Sequence, residues 1–421
     1  MALFRKPKNF FQYFIHRKVD EIYYSVGLRK FGVQLIGLYE PIFLYLFFDN
    51  SVSKTLFFFA FIVLFHALLA PLGGRMMARF GVKHNMLASI PFLMSYYLLL
   101  YFSSEVFWLI YLAPIAAILA RILFFPAYHT DFAKLSEKKK RGKQVGIMSI
   151  ITTLSAVVGP LIGAFVLTKY GFPTLFIIVS VIFLFSALPL ILTYEIKPRY
   201  RDSYKKAWQT VLSKKWRKKT LSLAFYGMDW GVSLNYWPLF LFILAISYKD
   251  LGLISAISLA FSLLTTIFVS RLSDKFSKMS LYRSGCYLAS IGNFMKAFVK
   301  TILGATITQI FFHIGDTLDT NPLIAYIYDQ TQKEKLNVGR YIIFREIAQN
   351  IGTGLIYLIG GIVFLFIEQS NIRYFFILAA VCLLIAGRLS HAFEKQFHKN
   401  IAEFKKELVQ KVAINPEKEN E

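Results

Sequence analysis

Cysteine and acidic residues are the scarce commodities of this chain. Its 421 residues hold two cysteines, Cys286 and Cys382. Both lie in apolar stretches, so neither a disulfide framework nor a cysteine-based metal spacing is available. Aspartate and glutamate number 24 against 48 lysines and arginines, a formal net charge of +24. In a soluble protein that imbalance would point to nucleic acid. Here the basic residues concentrate in alternate loops, so membrane topology accounts for them and no nucleic-acid partner is expected. There is no metal-spaced His/Glu cluster, no nucleophile motif and no phosphate-cradling glycine loop. An enzyme is therefore not expected, and neither is a cofactor. Alternating segments of about ten residues, the mark of an outer-membrane barrel, are missing as well. Residues 1–30 carry seven Lys/Arg but no uninterrupted apolar core, so a cleavable signal peptide is not expected.

What the chain has is apolar length. Hydrophobic residues make up 56% and aromatics 17%, where a soluble domain averages about 45–50% apolar. The excess comes in charge-free blocks such as 144–168, 171–194, 251–270 and 347–367. Runs of roughly 18 or more apolar residues suit a bilayer span. In hydrocarbon every backbone N–H and C=O needs an internal partner, so these blocks are predicted helices. Twelve spans are predicted, at 28–48, 54–77, 84–103, 106–130, 144–168, 172–194, 221–247, 251–272, 280–299, 301–328, 342–367 and 373–390. The connections alternate between strongly basic segments and short ones poor in Lys/Arg. By the positive-inside rule the basic set is cytoplasmic, which puts both termini there. The expected organisation is a basic arm (1–27), a six-helix bundle (28–194), a basic linker (195–220), a second six-helix bundle (221–390) and a charged tail (391–421). The linker stretch 195–219 has ten Lys/Arg interleaved with Tyr200, Tyr204, Trp208 and Trp216. A helix lying at headgroup level and a merely solvated connector both fit it.

The two halves share landmarks. Gly74-Arg75-Met-Met-Ala78-Arg79-Phe-Gly81-Val-Lys83 follows span 2, and Ser270-Arg-Leu-Ser-Asp274-Lys275-Phe-Ser277 follows span 8, an offset of 196. Pro126 in span 4 and Pro322 in span 10 are also 196 apart, and Gly159 in span 5 and Gly354 in span 11 are 195 apart. Internal repeats of this kind are common in secondary transporters, with the substrate site at the repeat interface. The two loop segments resemble the Gly-x-Leu-Ala-Asp-Arg-x-Gly-Arg-Lys signature of the major facilitator superfamily. Gly74, Arg79, Gly81 and Lys83 match the first copy; Asp274 and Lys275 match the charged core of the second. Gly159-Pro160-x-x-Gly163 resembles the fifth-span motif of many members, and Arg121 stands where many carry a fourth-span arginine. The resemblance implies an all-α membrane protein of twelve helices in two pseudo-symmetric bundles, with spans 1, 4, 7 and 10 lining a central cavity. It also implies a cytoplasmic gate at Gly74, Arg75, Arg79, Gly81, Lys83, Asp274 and Lys275. Ala78 departs from the signature's acid, so that latch is expected to be weaker or asymmetric in the first half. Gly159, Pro160 and Gly163 form an expected bend, since proline removes one helix hydrogen bond and glycine lets a neighbouring helix close in. A plain packing kink is the other reading.

Ionisable residues inside spans are costly and read as functional by default. Glu40, Arg121, Asp229, His313, Asp316 and Asp319 fall in spans 1, 4, 7 and 10, with Trp230 and Asn235 beside Asp229. One or more of Glu40, Asp229 and Asp316 is expected to carry a transported proton. Arg121 would bind an anionic group of the substrate or tune a facing acid; alternatively it is a structural partner of Asp316 or Asp229. His66 reads as a core histidine, and Lys296 as near enough to the outer end of span 9 to snorkel. His129, Asp131, Arg345 and Glu346 read as interfacial or latch residues, and Tyr226, Tyr236 and Trp237 as the aromatics around Asp229. The expected function is secondary transport of a small organic solute across the cytoplasmic membrane by alternating access, coupled to protons, by a monomer in contact with membrane lipids. A lipid or lysolipid flippase of the same architecture is the alternative.

Overall fold

The computed structural model describes residues 20–135, 141–192, 195–272, 276–333 and 339–391. Every regular element among them is a helix. All the α-helices but one, a helix of the linker, lie along predicted spans. Span 1 is α1 (Asp20–Gly37) and α2 (Glu40–Phe47), span 2 is α3 (Val52–Phe80) and span 3 is α4 (Val82–Ser103). A single-turn 3₁₀ segment, Phe107–Tyr111, leads into α5 (Ala113–Leu135), which is span 4. Spans 5 and 6 are the two arms of α6 (Arg141–Leu192), folded at Gly171 with φ +77°, a left-handed value that glycine adopts without steric cost. The linker contributes α7 (Tyr204–Leu212). Span 7 is α8 (Arg217–Gly231), a π-helical turn (Val232–Tyr236) and α9 (Trp237–Ile243). Spans 8 to 12 are α10 (Tyr248–Leu272), α11 (Lys278–Lys296), α12 (Ile302–Lys333), α13 (Arg340–Val363) and α14 (Tyr374–Leu389). The ends of the chain outside 20–391, the segment 136–140, and Asp274 and Lys275 lie outside the described residues.

Span 1 is interrupted before Glu40-Pro41. Leu38 and Tyr39 form a turn, and Pro41 opens α2, because its ring cannot continue the ladder of the helix before it. Span 1 also starts earlier than its apolar stretch, at Asp20 rather than residue 28. Seven helical stretches are long and apolar enough to cross a membrane by length and composition, one of them the doubled Ile150–Leu192. The four passes outside that set are spans 1, 7, 9 and 10, which are interrupted or carry ionisable side chains. Three of these, spans 7, 9 and 10, carry the buried Asp229, Lys296 and Asp319.

Packing repeats between the halves. Span 1 lies against α6 as span 7 lies against span 11; span 3 packs on span 4 as span 9 packs on span 10. Spans 2 and 4 pair as spans 8 and 10 do. The halves meet where span 2 crosses span 11 and where span 8 crosses α6. Small residues set these distances, since lipid offers no hydrophobic drive between helices and close van der Waals contact must supply it. A Cβ at Gly163 would overlap the Leu35 carbonyl, and one at Gly252 would come within 2.9 Å of the Pro160 carbonyl. Span 5 is therefore wedged between spans 1 and 8, and the Tyr39 hydroxyl locks it by donating to the Pro160 carbonyl at 2.6 Å. No residue between Gly159 and Gly163 leaves helical geometry; the non-helical residue of α6 is Gly171.

The linker helix α7 turns Ala207 and Val211 inward and leaves Lys205, Lys206 and Leu212 exposed. Ser203 caps it by accepting from the Lys206 N–H at 3.1 Å, and the Tyr204 hydroxyl donates to the Leu68 carbonyl at 3.0 Å. It is thus a docked amphipathic helix.

Candidate functional site

Two polar networks occupy the interior. The first crosses between the halves. Arg121 of span 4 donates from Nε to His66 Nδ1 of span 2 at 3.2 Å, and from Nη2 to Asn350 Oδ1 of span 11 at 3.2 Å. His66 Nε2 stands 3.7 Å from Glu346 Oε2, and Asn350 is steadied by donating to the Glu346 carbonyl at 2.8 Å. The network runs on through Arg345, whose Nη1 is 3.4 Å from Glu346 Oε1 and 3.1 Å from His129 Nε2. His129 Nδ1 meets the Tyr328 hydroxyl of span 10 at 2.9 Å. The partners of Arg121 are therefore His66 and Asn350 rather than Asp316 or Asp229. His66, expected as a core histidine, is fully buried but is a member of this network.

The second network lies inside the C-terminal half, among spans 7, 9 and 10. The Asp229 carboxylate accepts from the Asn293 amide of span 9. One turn further, Lys296 is fully buried. Its ammonium stands 3.5 Å from the centre of the Phe312 ring and 5.0 Å from that of Trp237, and has no hydrogen-bond partner among the described residues. Lys296 thus points inward instead of snorkelling; the ring faces hold it by cation–π attraction. On span 10, Thr320 Oγ1 lies 3.1 Å from Asp316, 3.0 Å from Asp319 and 2.7 Å from the Tyr226 hydroxyl. His313 contacts Gln309 at 2.9 Å, while His313 Nδ1, Gln309 Oε1 and Asn293 Oδ1 stay unpaired. Buried polar atoms are nearly always satisfied, so this many open donors and acceptors single out the cluster among these spans as the candidate site.

The N-terminal half holds a smaller counterpart. Glu40 accepts from Tyr96 at 2.5 Å and Tyr97 at 3.1 Å, both on span 3. Tyr97 and Asn293 are 196 residues apart. In each half, then, an acid of the first helix is held by the third helix at the repeat-related position. Asn235 donates to the Tyr357 hydroxyl of span 11 at 2.9 Å, away from Asp229. Trp230 is 40% exposed, whereas Trp237 is buried and faces the Lys296 ammonium. Asn293, Asn350 and Gln309 were invisible to a search for titratable groups, and Tyr96 to a search for charged ones. The 196-residue offset applied to Glu40's neighbours would have found Asn293.

The family model of the Major Facilitator Superfamily matches residues 28–318 and, again, 220–391. The chain belongs to the major facilitator superfamily. No curated protein sequence matches it. Among solved structures, the E. coli fucose:proton symporter FucP superposes with a TM-score of 0.62 at 13% identity, covering 88% of this chain and 97% of that one. The human organic anion transporter MFSD10 (TETRAN) superposes with a TM-score of 0.61 at 12% identity, covering 87% and 99%. At such identities the likeness is one of fold.

In this facilitator the basic end is fastened by the linker. Gly81 (φ +96°) ends span 2, and the Glu195 carboxylate lies against it. Glu195 accepts from the backbone N–H groups of Lys83 and His84 at 3.1 Å each and from the His84 ring. It therefore caps the N-terminus of span 3, where an anion is favoured. Lys83 Nζ donates to the Ile191 carbonyl at 2.6 Å. Gly74 makes room for the Tyr200 ring and for Ile343 of span 11, and Ala78 packs into the apolar cluster around them. Burial, with Asp202 beside it, holds the Tyr200 phenol above its ordinary range. Asp202 then takes Arg340, at the start of span 11, through two hydrogen bonds of 2.9 and 3.1 Å. Arg75 and Arg79 are exposed. With Ala78 apolar, the two carboxylates beside this loop, Glu195 and Asp202, come from the linker.

Proposed function

We propose that this facilitator couples proton movement to the transport of a small organic solute by alternating access, with its basic end in the cytoplasm of the cell membrane. Alternation needs two gates that close in turn. Contacts cross between the halves at both ends: Asp202–Arg340 and His129–Tyr328 at the basic end, and Ser53 Oγ to the Gly361 carbonyl (2.6 Å) and Gln369 to the Asn50 carbonyl (2.8 Å) towards the other. The observation that carries the coupling is the buried set of Asp229, Lys296 and Asp319, with the half-buried Asp316 beside them. Carboxylates and an ammonium held inside a bundle without ion-pair contact stay there economically only if a proton neutralises one of them in part of the cycle. Arg121, braced by His66 and Asn350 between the halves, offers the planar fork that suits a carboxylate or similar anionic group of the solute.

The test is proton uptake into proteoliposomes driven by solute, compared for wild type, Glu40→Gln, Asp229→Asn and Asp316→Asn. Loss of proton movement in at least one variant is expected. Unchanged pH dependence in all three would end the proton-coupling reading. Movement of labelled lysolipid with no proton flux would favour a flippase.

A further inference from the structure

We infer that a groove on the outer face of spans 2, 3 and 4, at the basic end, is a binding site for one anionic phospholipid. The groove has a volume of about 550 Å³ and stands apart from both interior networks. Its rim carries Arg79, His84 and Lys197, all exposed. Its walls are Phe80 of span 2 with Ala88 and Phe92 of span 3, and Leu123 of span 4 lines it as well.

The charge is available to a ligand. Arg79 and Lys197 make no hydrogen bond or ion pair among the described residues, and the Arg79 guanidinium stands only over the neighbouring Phe80 ring, at 5.3 Å. Glu195, the nearby carboxylate, is spoken for by the backbone N–H groups of Lys83, His84 and Ile196 and by the His84 ring. The rim therefore presents two uncompensated cations.

The shape selects an amphiphile over a free anion. His84, Ala88 and Phe92 follow one another on the outer face of span 3. Eight residues of helix, roughly 12 Å at about 1.5 Å per residue, separate the rim from the deep wall. A phosphate would occupy the rim and leave the aromatic floor uncovered, whereas a diacyl phosphate ester fills both. Basic pockets between helices at the cytoplasmic face suit anionic headgroups for this reason. The site does not depend on the coupling reading, since no residue of it belongs to the two interior networks.

The experiment is native mass spectrometry of the full-length protein released from phosphatidylcholine nanodiscs doped with phosphatidylglycerol. One phosphatidylglycerol should be retained per protein. The Arg79→Gln/Lys197→Gln pair should cut its retention by about thirtyfold, given the usual attraction of two basic residues near a membrane surface. Ala88→Trp, which blocks the groove from an exposed position and leaves the charges alone, should cut it too. Retention unchanged in both variants overturns the site. So does an equal loss in Lys205→Gln/Lys214→Gln, which removes two exposed lysines of the same end, because that result means attraction to the surface as a whole. Thermal protection by glycerol phosphate equal to that by the lipid overturns the assignment to a lipid.

Discussion

The carboxylate of Glu195, at the start of the linker, occupies the space that a side chain at Gly81 would fill. Two requirements meet at residue 81: a left-handed φ of +96° and an open flank for the acid that caps span 3. Gly81→Ala violates both and should destabilise the protein by about 1–3 kcal/mol. Glu195→Ala, which loses only the cap, should cost about 1 kcal/mol. Thermal unfolding in detergent checks the order; an alanine at 81 milder than one at 195 would contradict it.

Arg121 reaches two helices of opposite halves with two different nitrogens. A lysine can serve one partner but not the pair. Arg121→Lys is expected to lower solute uptake by at least about tenfold, the equivalent of 1.4 kcal/mol, and Asn350→Ala by less. Uptake by proteoliposomes at several solute concentrations measures both.

Lys296 and Asp229 are buried within the same cluster among spans 7, 9 and 10. Removing one charge strands the other, a change that costs about 3–5 kcal/mol when the partner has no substitute, while removing both is far milder. Lys296→Met and Asp229→Asn should each lower the melting temperature, and the double variant should recover much of the loss. Additive losses in the double-mutant cycle would mean the two do not sense each other.

Asp202 and Arg340 tie the linker to span 11 at the basic end. Asp202→Ala should shift the balance towards conformers open at that end. For an ion pair worth about 1 kcal/mol, labelling of a Thr130→Cys reporter, buried at the inner end of span 4, should speed up by about fivefold. Both native cysteines are buried, so background labelling is low. No change in rate would remove Asp202 from the gate.

Span positions and the interruption at Glu40-Pro41 were legible in the sequence because apolar run length and proline act locally. The residues with buried charge were legible for the same reason. Their partners were not. Arg121 meets His66 and Asn350 instead of an aspartate because partner choice depends on helix rotation, and a helix apolar on nearly every side gives no period from which to read rotation. Lys296 lies close enough to its helix end to reach water by length alone; it points inward because Phe312 and Trp237, on other spans, offer ring faces. The consecutive pair Asp229 and Trp230 points two ways, as helical geometry requires. Ala78 was legible as a missing acid, but the replacements at 195 and 202 lie more than a hundred residues downstream.

Those replacements sit seven residues apart on one strand of linker. Glu195 fastens that strand to span 3 of the first half, and Asp202 fastens it to span 11 of the second. At roughly 3.5 Å per extended residue the segment between them can reach about 25 Å. The connector is therefore a leash of fixed length: with both anchors set, it limits how far the mouth at this end can gape, and any wider opening must first slip one of them.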